Sequence, residues 1–341
     1  MTNEPKDVLT TEERIKLISE LEVIFMPQAR RQREQAFESL RKSGVNDEQL
    51  RFVHYTSAEA ALSIIRNKRL WMRNTTCMAD YREVEHGFEM LNKFFSDETK
   101  KNAFNAAVDQ CFPGATKEAV DLFNKWWNNI RYNTYVTSVS EHDKSEDDHG
   151  RLSMWRAFGG NAIRIAIVVK VPKVSQGSFS LNLMFSPVAY LKEAEAHAVL
   201  QEVILNVKAK ADFVRSVGRQ QIVEMLFTVF VAGVTCLKHE GFREEREWRA
   251  IYLPKIRPSE LMQSSNEIVN GVPQIVHKIP VDESVSPLLA DLEFSRIFDH
   301  LIVGPSPYPW VMYEAFAEEL KKAGVPDASE KVLVSNIPIR M

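Results

Sequence analysis

Three stretches of this 341-residue chain carry side chains suited to chemistry. The first is residues 54–57 (His-Tyr-Thr-Ser), where a strand delivers an imidazole and an aromatic ring to the start of a helix. The N–H groups of a helix N-terminus suit an anion such as a diphosphate. The same residues also fit a structural role, with Tyr55 packed in the core and Thr56 and Ser57 capping the helix. Both roles stay open.

The second stretch is residues 244–249 (Glu-Glu-Arg-Glu-Trp-Arg). If a strand begins near Glu245, then Glu245, Glu247 and Arg249 share one of its faces. Two carboxylates on one face suit a site that stabilises developing positive charge. They suit ion pairs equally well, because arginines are interleaved with them.

The third stretch is a long loop predicted over residues 140–160. Connections of more than about 12–15 residues inside a domain are usually functional or disordered. This one offers His142, Asp143, Asp148 and His149, and three such ligands with a water would make a hydrolytic metal site. No fixed ligand spacing such as His-Glu-x-x-His is present, so we assign no metal ligand in the leading hypothesis.

Other catalytic signatures are missing from the sequence. There is no Gly-x-Ser-x-Gly nucleophile turn, no glycine-rich dinucleotide fingerprint and no phosphate-binding loop motif. The cysteines, Cys77, Cys111 and Cys236, are widely separated and form no metal-binding pair. An odd number of isolated cysteines is typical of a reducing compartment, so a cytoplasmic protein is expected.

Net charge and hydropathy argue against two classes of partner, nucleic acid bound in bulk and membranes. Lys and Arg number 43 and Asp and Glu 46, which gives a net charge of −3 and argues against bulk nucleic-acid binding. The N-terminus is polar, without the apolar segment of a signal peptide. The longest apolar stretch, residues 225–237, is too short to span a bilayer and predicts a buried helix. No membrane partner is expected.

The positions of these residues depend on the elements that carry them. A capping-box pattern at Thr10 and Glu13 begins one helix, Pro27 ends it, and a charged helix over residues 28–42 follows. Residues 1–49 are therefore predicted to be an N-terminal helical appendage. Residues 50–341 are predicted to form the main domain.

The main domain mixes strands and helices irregularly. Apolar spacing predicts helices after Thr56 and over residues 85–95, 116–130, 192–217, 219–237 and 311–323. Alternating and β-branched runs predict strands at 51–55, 70–72, 134–139, 163–170, 183–190, 248–253, 274–279, 301–303 and 331–335. Without regular βα alternation, the fold class is α+β, with mixed or antiparallel sheets and flanking helices.

Several landmarks together resemble a bacterial family known only as domain of unknown function 2971. They are residues 54–57 leading to Leu70 and Trp71, an acidic stretch at 79–83, Leu-Ser-Met-Trp at 152–155, Phe-Arg-Glu-Glu-Arg-Glu-Trp-Arg at 242–249, Val-Gly-Pro at 303–305 and residues 335–340. The resemblance covers about residues 50–341. Membership of this family implies no activity.

The chain also resembles the ADP-ribosyltransferase superfamily, whose fold is a split sheet. Those enzymes carry a His or Arg on an early strand, followed by an aromatic-x-Ser-Thr-Ser element or a Tyr. A Glu on a later strand, often within Glu-x-Glu, completes the set. Here His54 with Thr56 matches the first element, residues 135–138 (Tyr-Val-Thr-Ser) the second, and Glu245 with Glu247 the third. The order along the chain is that of the superfamily.

This resemblance implies NAD as substrate and cleavage of its nicotinamide–ribose bond. The ribose carbon then gains oxocarbenium character, as in glycoside cleavage. Glu247 would hold the ribose hydroxyl and stabilise that cation. Glu245 would help to present the acceptor, an unknown protein or nucleic acid.

The resemblance also implies a dinucleotide-binding set. His54 would bind the adenosine ribose, a tyrosine would stack on the nicotinamide, and a hydroxyl would support the glutamate. The implied residues are His54, Tyr55, Thr56, Tyr135, Thr137 and Ser138. The arrangement requires His54 and Glu247 to line one hollow.

Three hypotheses follow from the sequence. The leading one is an ADP-ribosyltransferase-like enzyme, for example a bacterial toxin or antiphage effector. The first alternative is a non-catalytic module that binds a nucleotide or a partner, which a tight pairing of Glu247 with a neighbouring arginine would favour. The second is a metal-dependent nuclease or phosphoesterase that uses the 140–160 loop.

Overall fold

The computed structural model describes residues 10–42, 49–78, 83–157, 163–172, 175–269 and 271–338. Its α-helices are α1 (Thr11–Phe25), α2 (Pro27–Lys42), α3 (Ala58–Asn67), α4 (Glu83–Ser96), α5 (Glu98–Asp109), α6 (Ala115–Tyr132), α7 (Leu152–Ala157), α8 (Gln176–Ser180), α9 (Glu193–Ala209), α10 (Ala211–Val217), α11 (Arg219–Thr235), α12 (Phe294–Ile297) and α13 (Pro309–Lys322). Its strands are β1 (Gln49–Ser57), β2 (Arg69–Asn74), β3 (Tyr135–Glu141), β4 (Arg164–Pro172), β5 (Met184–Pro187), β6 (Ala189–Tyr190), β7 (Leu237–Lys238), β8 (Glu247–Tyr252), β9 (Gln263–Val269), β10 (Val272–Pro280), β11 (Phe298–Val303) and β12 (Val332–Val334).

Local capping chemistry explains several of these boundaries. The predicted capping box at α1 is present, since Thr10 accepts from the Glu13 amide and Glu13 accepts from the Thr10 amide. Of the two residues predicted to cap α3, one is the observed N-cap. Ser57, not Thr56, accepts a hydrogen bond from the Ala60 amide.

Three features of the fold differ from the predicted elements. The helix expected over residues 192–217 is two helices that meet at Lys210. The sequence patterns missed α5 and β9. Strand β9 is polar and mostly exposed, so it lacks the apolar alternation that marks a half-buried strand. The loop expected over residues 140–160 contains the short helix α7.

The first of two compact units comprises residues 1–33, 82–128 and 191–238, and its described part is mainly helical. Helix α11 is its central element and buries most of its side chains. Phe230 on α11 makes edge-on contacts with Phe95 and Phe123. The N-terminal appendage predicted over residues 1–49 stays a prediction.

No single helix in the described part of the chain is long and apolar enough to cross a membrane. Helices α10 and α11 together satisfy the length and composition of a span, but they are bent by 107° at their junction. Most of α11 is buried in the protein.

The second unit comprises residues 34–81, 129–190 and 239–341 and contains a ten-stranded sheet. The strand order is β12-β11-β4-β1-β3-β2-β10-β9, with β8 on β3 and β5 on β8. β11 and β12 are parallel, and the other pairs are antiparallel. This mixed sheet with its flanking helices confirms the α+β class.

Both faces of the sheet are covered by apolar side chains. On one face Ile165 and Ile167 of β4 belong to a cluster that includes residues of α3 and α13. On the other face Val53 and Tyr55 of β1 pack with Trp155 of α7. Adjacent residues of β1 and β4 therefore enter different cores, as the alternation of a strand requires.

Strand β3 is shared by two neighbours along one edge. Its end at Ser140 and Glu141 pairs with β1, while its start at Tyr135 and Val136 pairs with β2. Among the residues that the structure describes, none pairs as a strand with residues 137–139 on that edge, so β1 and β2 separate there. An ADP-ribosyltransferase-like split sheet stays a prediction.

Candidate functional site

Strand β3 brings the three predicted motifs together. β1, which carries His54, lies on one side of β3, and β8, which begins at Glu247, lies on the other. β3 itself carries Thr137 and Ser138. Motifs far apart in sequence thus occupy three adjacent strands.

Ser138 contacts both predicted catalytic residues. The Nδ1 atom of His54 lies 3.0 Å from the Ser138 carbonyl oxygen. Because a carbonyl can only accept, Nδ1 carries the proton of the neutral ring and Nε2 is left as an acceptor. The Ser138 hydroxyl donates to Oε1 of Glu247 at 2.5 Å. A hydroxyl supporting the glutamate is what the superfamily resemblance implies.

The environment of His54 favours its neutral form. Burial lowers the pKa of the imidazole, and the hydrogen bond with Ser138 opposes that shift only partly. Nε2 of His54 has no hydrogen-bond partner among the described residues. A neutral imidazole with a free acceptor nitrogen can accept a hydrogen bond from a hydroxyl group.

Glu247 is held by an arginine on its own strand. Its carboxylate receives Nε of Arg249 at 2.8 Å and Nη2 at 3.0 Å, a bidentate pair. Glu247 is 6% and Arg249 2% exposed, so the pair is shielded from water. This is the arrangement expected of the non-catalytic alternative.

The register places Glu247 and His54 on different faces of the sheet. Glu247 lies opposite Ser140, and Ser140 lies opposite Val53. Directly opposed residues share a face, so Glu247 lies on the face of Val53 and His54 on the other. The two side chains are linked through Ser138. They do not line one face, although the predicted shared hollow requires that they do.

Glu245 does not lie on β8, so its predicted place on the strand face is wrong. It ends a 3₁₀ turn (Glu240–Glu245), and Arg246 follows with a left-handed φ of 42°. A residue in that region interrupts the extended chain, and β8 begins only at Glu247. The Glu245 carbonyl accepts from Arg151.

Both tyrosines of the predicted dinucleotide set are packed in the interior. Tyr55 meets Trp155 edge-on at 4.8 Å, and its hydroxyl accepts from the Arg151 amide. Burial raises its pKa to about 12. Tyr135 meets His277 edge-on at 4.3 Å and is 5% exposed. Neither ring presents an open face for stacking.

The two remaining hydroxyls of the set differ. Thr137 donates to the Trp71 carbonyl at 2.5 Å, which ties β3 to β2 where the two strands meet. Thr56 is half-buried on β1 and is not the helix cap. Of the predicted hydroxyls, Ser138 is the one that supports Glu247.

The predicted loop ligands are not brought together. Asp143 pairs with Arg246, and Asp148 is exposed. His149 uses its carbonyl to accept from the Trp155 indole N–H. Of the four, only His142 joins a group of candidate ligands in the described part of the chain.

Sequence reasoning missed two charged residues that hold this loop. Arg151 donates to both Oε1 and Oε2 of Glu146, at 2.9 and 3.1 Å, and to backbone carbonyls. Glu146 also receives Arg246 at 2.5 Å. Burial raises the pKa of Glu146, but the two arginines and the backbone N–H of Asp143 outweigh it, so the pKa lies below its usual value. The sequence signal for these two residues was a charge-rich loop that ends in an arginine. The partners of that arginine could not be predicted from neighbouring residues.

Comparison with known proteins identifies one family. Residues 154–250 match the family described as a protein of unknown function (DUF2971), which confirms the predicted family resemblance over that segment. No curated protein and no solved structure matches the chain. The resemblance to ADP-ribosyltransferases stays a prediction.

Proposed function

We propose that this chain, whose residues 154–250 match the DUF2971 family, is an ADP-ribosyltransferase-like enzyme. It would bind NAD⁺, cleave the nicotinamide–ribose bond and transfer ADP-ribose to an acceptor, a protein or a nucleic acid. Glu247 would stabilise the oxocarbenium ion, and His54 would bind the adenosine ribose.

The observation that carries this proposal is the convergence of its three motifs on β3. His54 and Glu247 approach the same serine from the two neighbouring strands, at 3.0 and 2.5 Å. The hydroxyl that fixes Glu247 is at one of the positions the resemblance implies. Three chance matches to short Ser, Thr or Glu motifs would not be expected to occupy three adjacent strands.

His54 also lies where β1 and β2 separate. Its neutral ring keeps Nε2 as an acceptor for a ribose hydroxyl. Helix α3 begins at Ala58, so its N-terminal N–H groups follow shortly after. The Ala58 and Ala60 amides at that helix start already donate to the Ile163 carbonyl and the Ser57 hydroxyl, so His54 alone carries this part of the proposal.

A second candidate function is favoured by the Glu247–Arg249 pair. A carboxylate committed to a bidentate arginine has less freedom to bind a ribose hydroxyl and stabilise a cation. The buried tyrosines and the different faces of His54 and Glu247 favour the same alternative. The chain would then bind a nucleotide or a partner without turnover.

One set of measurements separates these functions. NAD⁺ binding to the full chain is measured by calorimetry, and free nicotinamide is followed by chromatography. The enzyme hypothesis expects both binding and release of nicotinamide, with His54→Gln weakening binding and Glu247→Gln stopping release. Binding without release would favour the non-catalytic module.

A matched control is Glu245→Gln, which removes a nearby carboxylate that lies outside β8. It should release nicotinamide more rapidly than Glu247→Gln does. Absence of NAD⁺ binding at millimolar ligand would overturn the enzyme proposal. Unfolding curves of each variant identify loss of activity that follows from loss of fold.

A further inference from the structure

A second polar cluster in the sheet-containing unit consists of His142, Asp147 and His300. His142 follows β3, Asp147 lies in the acidic loop and His300 lies on β11. Oδ1 of Asp147 is 2.9 Å from Nε2 of His142 and 3.8 Å from Nε2 of His300. One ligand atom from each residue lies within 4.8 Å of the others.

The two imidazoles of this cluster are buried and incompletely bonded. His142 is 2% and His300 8% exposed. Nε2 of His300 and Nδ1 of His142 have no hydrogen-bond partner in the described part of the chain. An unpaired buried polar atom costs free energy, and an ion bound by Nε2 of His300 would remove that cost.

A carboxylate lies near the outer nitrogen of each ring. Nδ1 of His300 is 3.3 Å from Oδ2 of Asp299, and Nδ1 of His142 is 3.7 Å from Oε2 of Glu146. Histidines that bind a metal through one nitrogen usually direct the other N–H at a carboxylate or carbonyl. The Asp299 contact suits the tautomer of His300 with the proton on Nδ1, which leaves Nε2 as a ligand. In His142 the ligand atom would be Nε2, which lies 2.9 Å from Asp147, while Nδ1 is too far from Glu146 for a hydrogen bond.

Arg51 positions the carboxylate at the centre of the cluster. Its Nη2 donates to Oδ1 of Asp147 and Oδ2 of Asp299, each at 2.7 Å. Ionised carboxylates have enough lone pairs to accept from Arg51 and to coordinate an ion as well. Ligating carboxylates in metal sites are commonly held by such hydrogen bonds.

We infer that His142, Asp147 and His300 form a binding site for a divalent transition metal ion, with Zn²⁺ as the best match. Two imidazoles and one carboxylate are a ligand set typical of zinc and of other divalent transition ions. A tetrahedral zinc ion with bonds of about 2.0–2.1 Å needs ligand atoms roughly 3.3 Å apart. The observed 2.9 and 3.8 Å lie on either side of that separation.

Three protein ligands would leave one position for a water molecule or an exogenous ligand. The site is independent of the NAD proposal, because it shares no residue with the set around Glu247. It also corrects the ligand set suggested by the loop alone. His142 is retained, while Asp147 and His300 replace Asp143, Asp148 and His149.

The test uses the full chain without a histidine tag, stripped with a chelator and titrated with Zn²⁺ by calorimetry. One ion per chain is expected. Co²⁺, used as a spectroscopic probe, should give the visible absorption of a low-coordinate site with nitrogen ligands. His300→Gln should weaken Zn²⁺ binding by at least about 100-fold, since loss of an outer partner alone costs 10–100-fold.

His277→Gln is the matched control, because His277 is also a partly buried histidine with an unpartnered ring nitrogen but lies on β10. It should leave Zn²⁺ affinity within twofold of the original chain. Asp147→Asn removes a half-buried ligand and tests the site again if His300→Gln fails to fold. The proposal would be overturned if the unsubstituted chain failed to bind one Zn²⁺ per chain. Unchanged Zn²⁺ affinity in both His300→Gln and Asp147→Asn would also overturn it.

Discussion

Two polar clusters of the same sheet differ in how completely their groups are bonded. In the Glu247 cluster (Ser138, Glu247 and Arg249), the carboxylate receives a hydroxyl and both arms of a guanidinium. In the His142 cluster (His142, Asp147 and His300), each imidazole keeps one nitrogen without a partner among the described residues.

The difference separates residues that the protein already satisfies from residues that await a ligand. Buried charges are retained when they are paired, and pairing alone can explain their presence. Nε2 of His300, an unpaired ligand atom inside a buried cluster, has no such explanation. The motif resemblance indicates a functional site at the Glu247 cluster, whereas the unpaired ring nitrogens indicate a binding site at the His142 cluster.

Breaking the Glu247–Arg249 pair should produce the largest effect. Glu247→Leu leaves a buried guanidinium without its bidentate partner and should lower the free energy of unfolding by about 3–5 kcal/mol. The double variant Glu247→Leu/Arg249→Met should lose much less, because no charge is left behind. Urea unfolding measures both. Equal losses in the single and double variants would contradict a structural pair.

Crowding the loop that carries Asp147 should produce the next largest effect. Gly150 has a φ of +69°, and a Cβ there would lie 2.7 Å from the Trp155 ring. Gly150→Ala should therefore cost the left-handed strain of about 1–2 kcal/mol plus about 1–3 kcal/mol of overpacking.

Gly271→Ala is the control for that substitution. Its φ is +78°, but no atom lies within 4 Å of the added Cβ, so only backbone strain is expected. Urea midpoints should therefore shift further for Gly150→Ala. Equal shifts would mean that Trp155 gives way without cost.

Lowering the pH should destabilise the protein through its buried histidines. Burial lowers the pKa of His54 and of His142 below 6.5, although Asp147 opposes the shift of His142. The native state then binds fewer protons than the unfolded state. Stability is complete above about pH 6.5 and falls as the pH drops, by up to about 1.4 kcal/mol per pH unit for each histidine.

The pH effect is checked by urea unfolding between pH 5 and 8. His54→Gln should make the stability profile less steep below pH 6.5, since one proton-linked group is removed. An unchanged slope would show that His54 is protonated equally in both states. The carboxylates with lowered pKa values, such as Asp147, lose their contribution at lower pH, below about 3.8.

Removing an exposed ion pair should have the smallest effect. Lys117 and Asp121 meet at 2.7 Å on the surface of α6, and both are largely exposed. Lys117→Ala should leave the urea midpoint unchanged within error, because solvent screens the pair. A clear loss would mean that pairing contributes similarly at the surface and in the Glu247 cluster.

The sequence by itself determined most elements of this fold. The Thr10–Glu13 capping box, the helix stop at Pro27 and the strands that carry His54 and Ser138 depend on neighbouring residues or on local spacing. Such signals act over a few residues and survive in any tertiary context that keeps the element. The family resemblance rests on the same local strings.

Only the tertiary structure decided which polar groups meet. The left-handed Arg246 removed Glu245 from β8, and strand pairing placed Glu247 on the face of Val53. His300 on β11 lies near His142, which follows β3, because β4 and β1 connect β11 and β3 within one sheet. Long-range pairing fixes these contacts, and a one-residue change of register would turn each side chain to the other face.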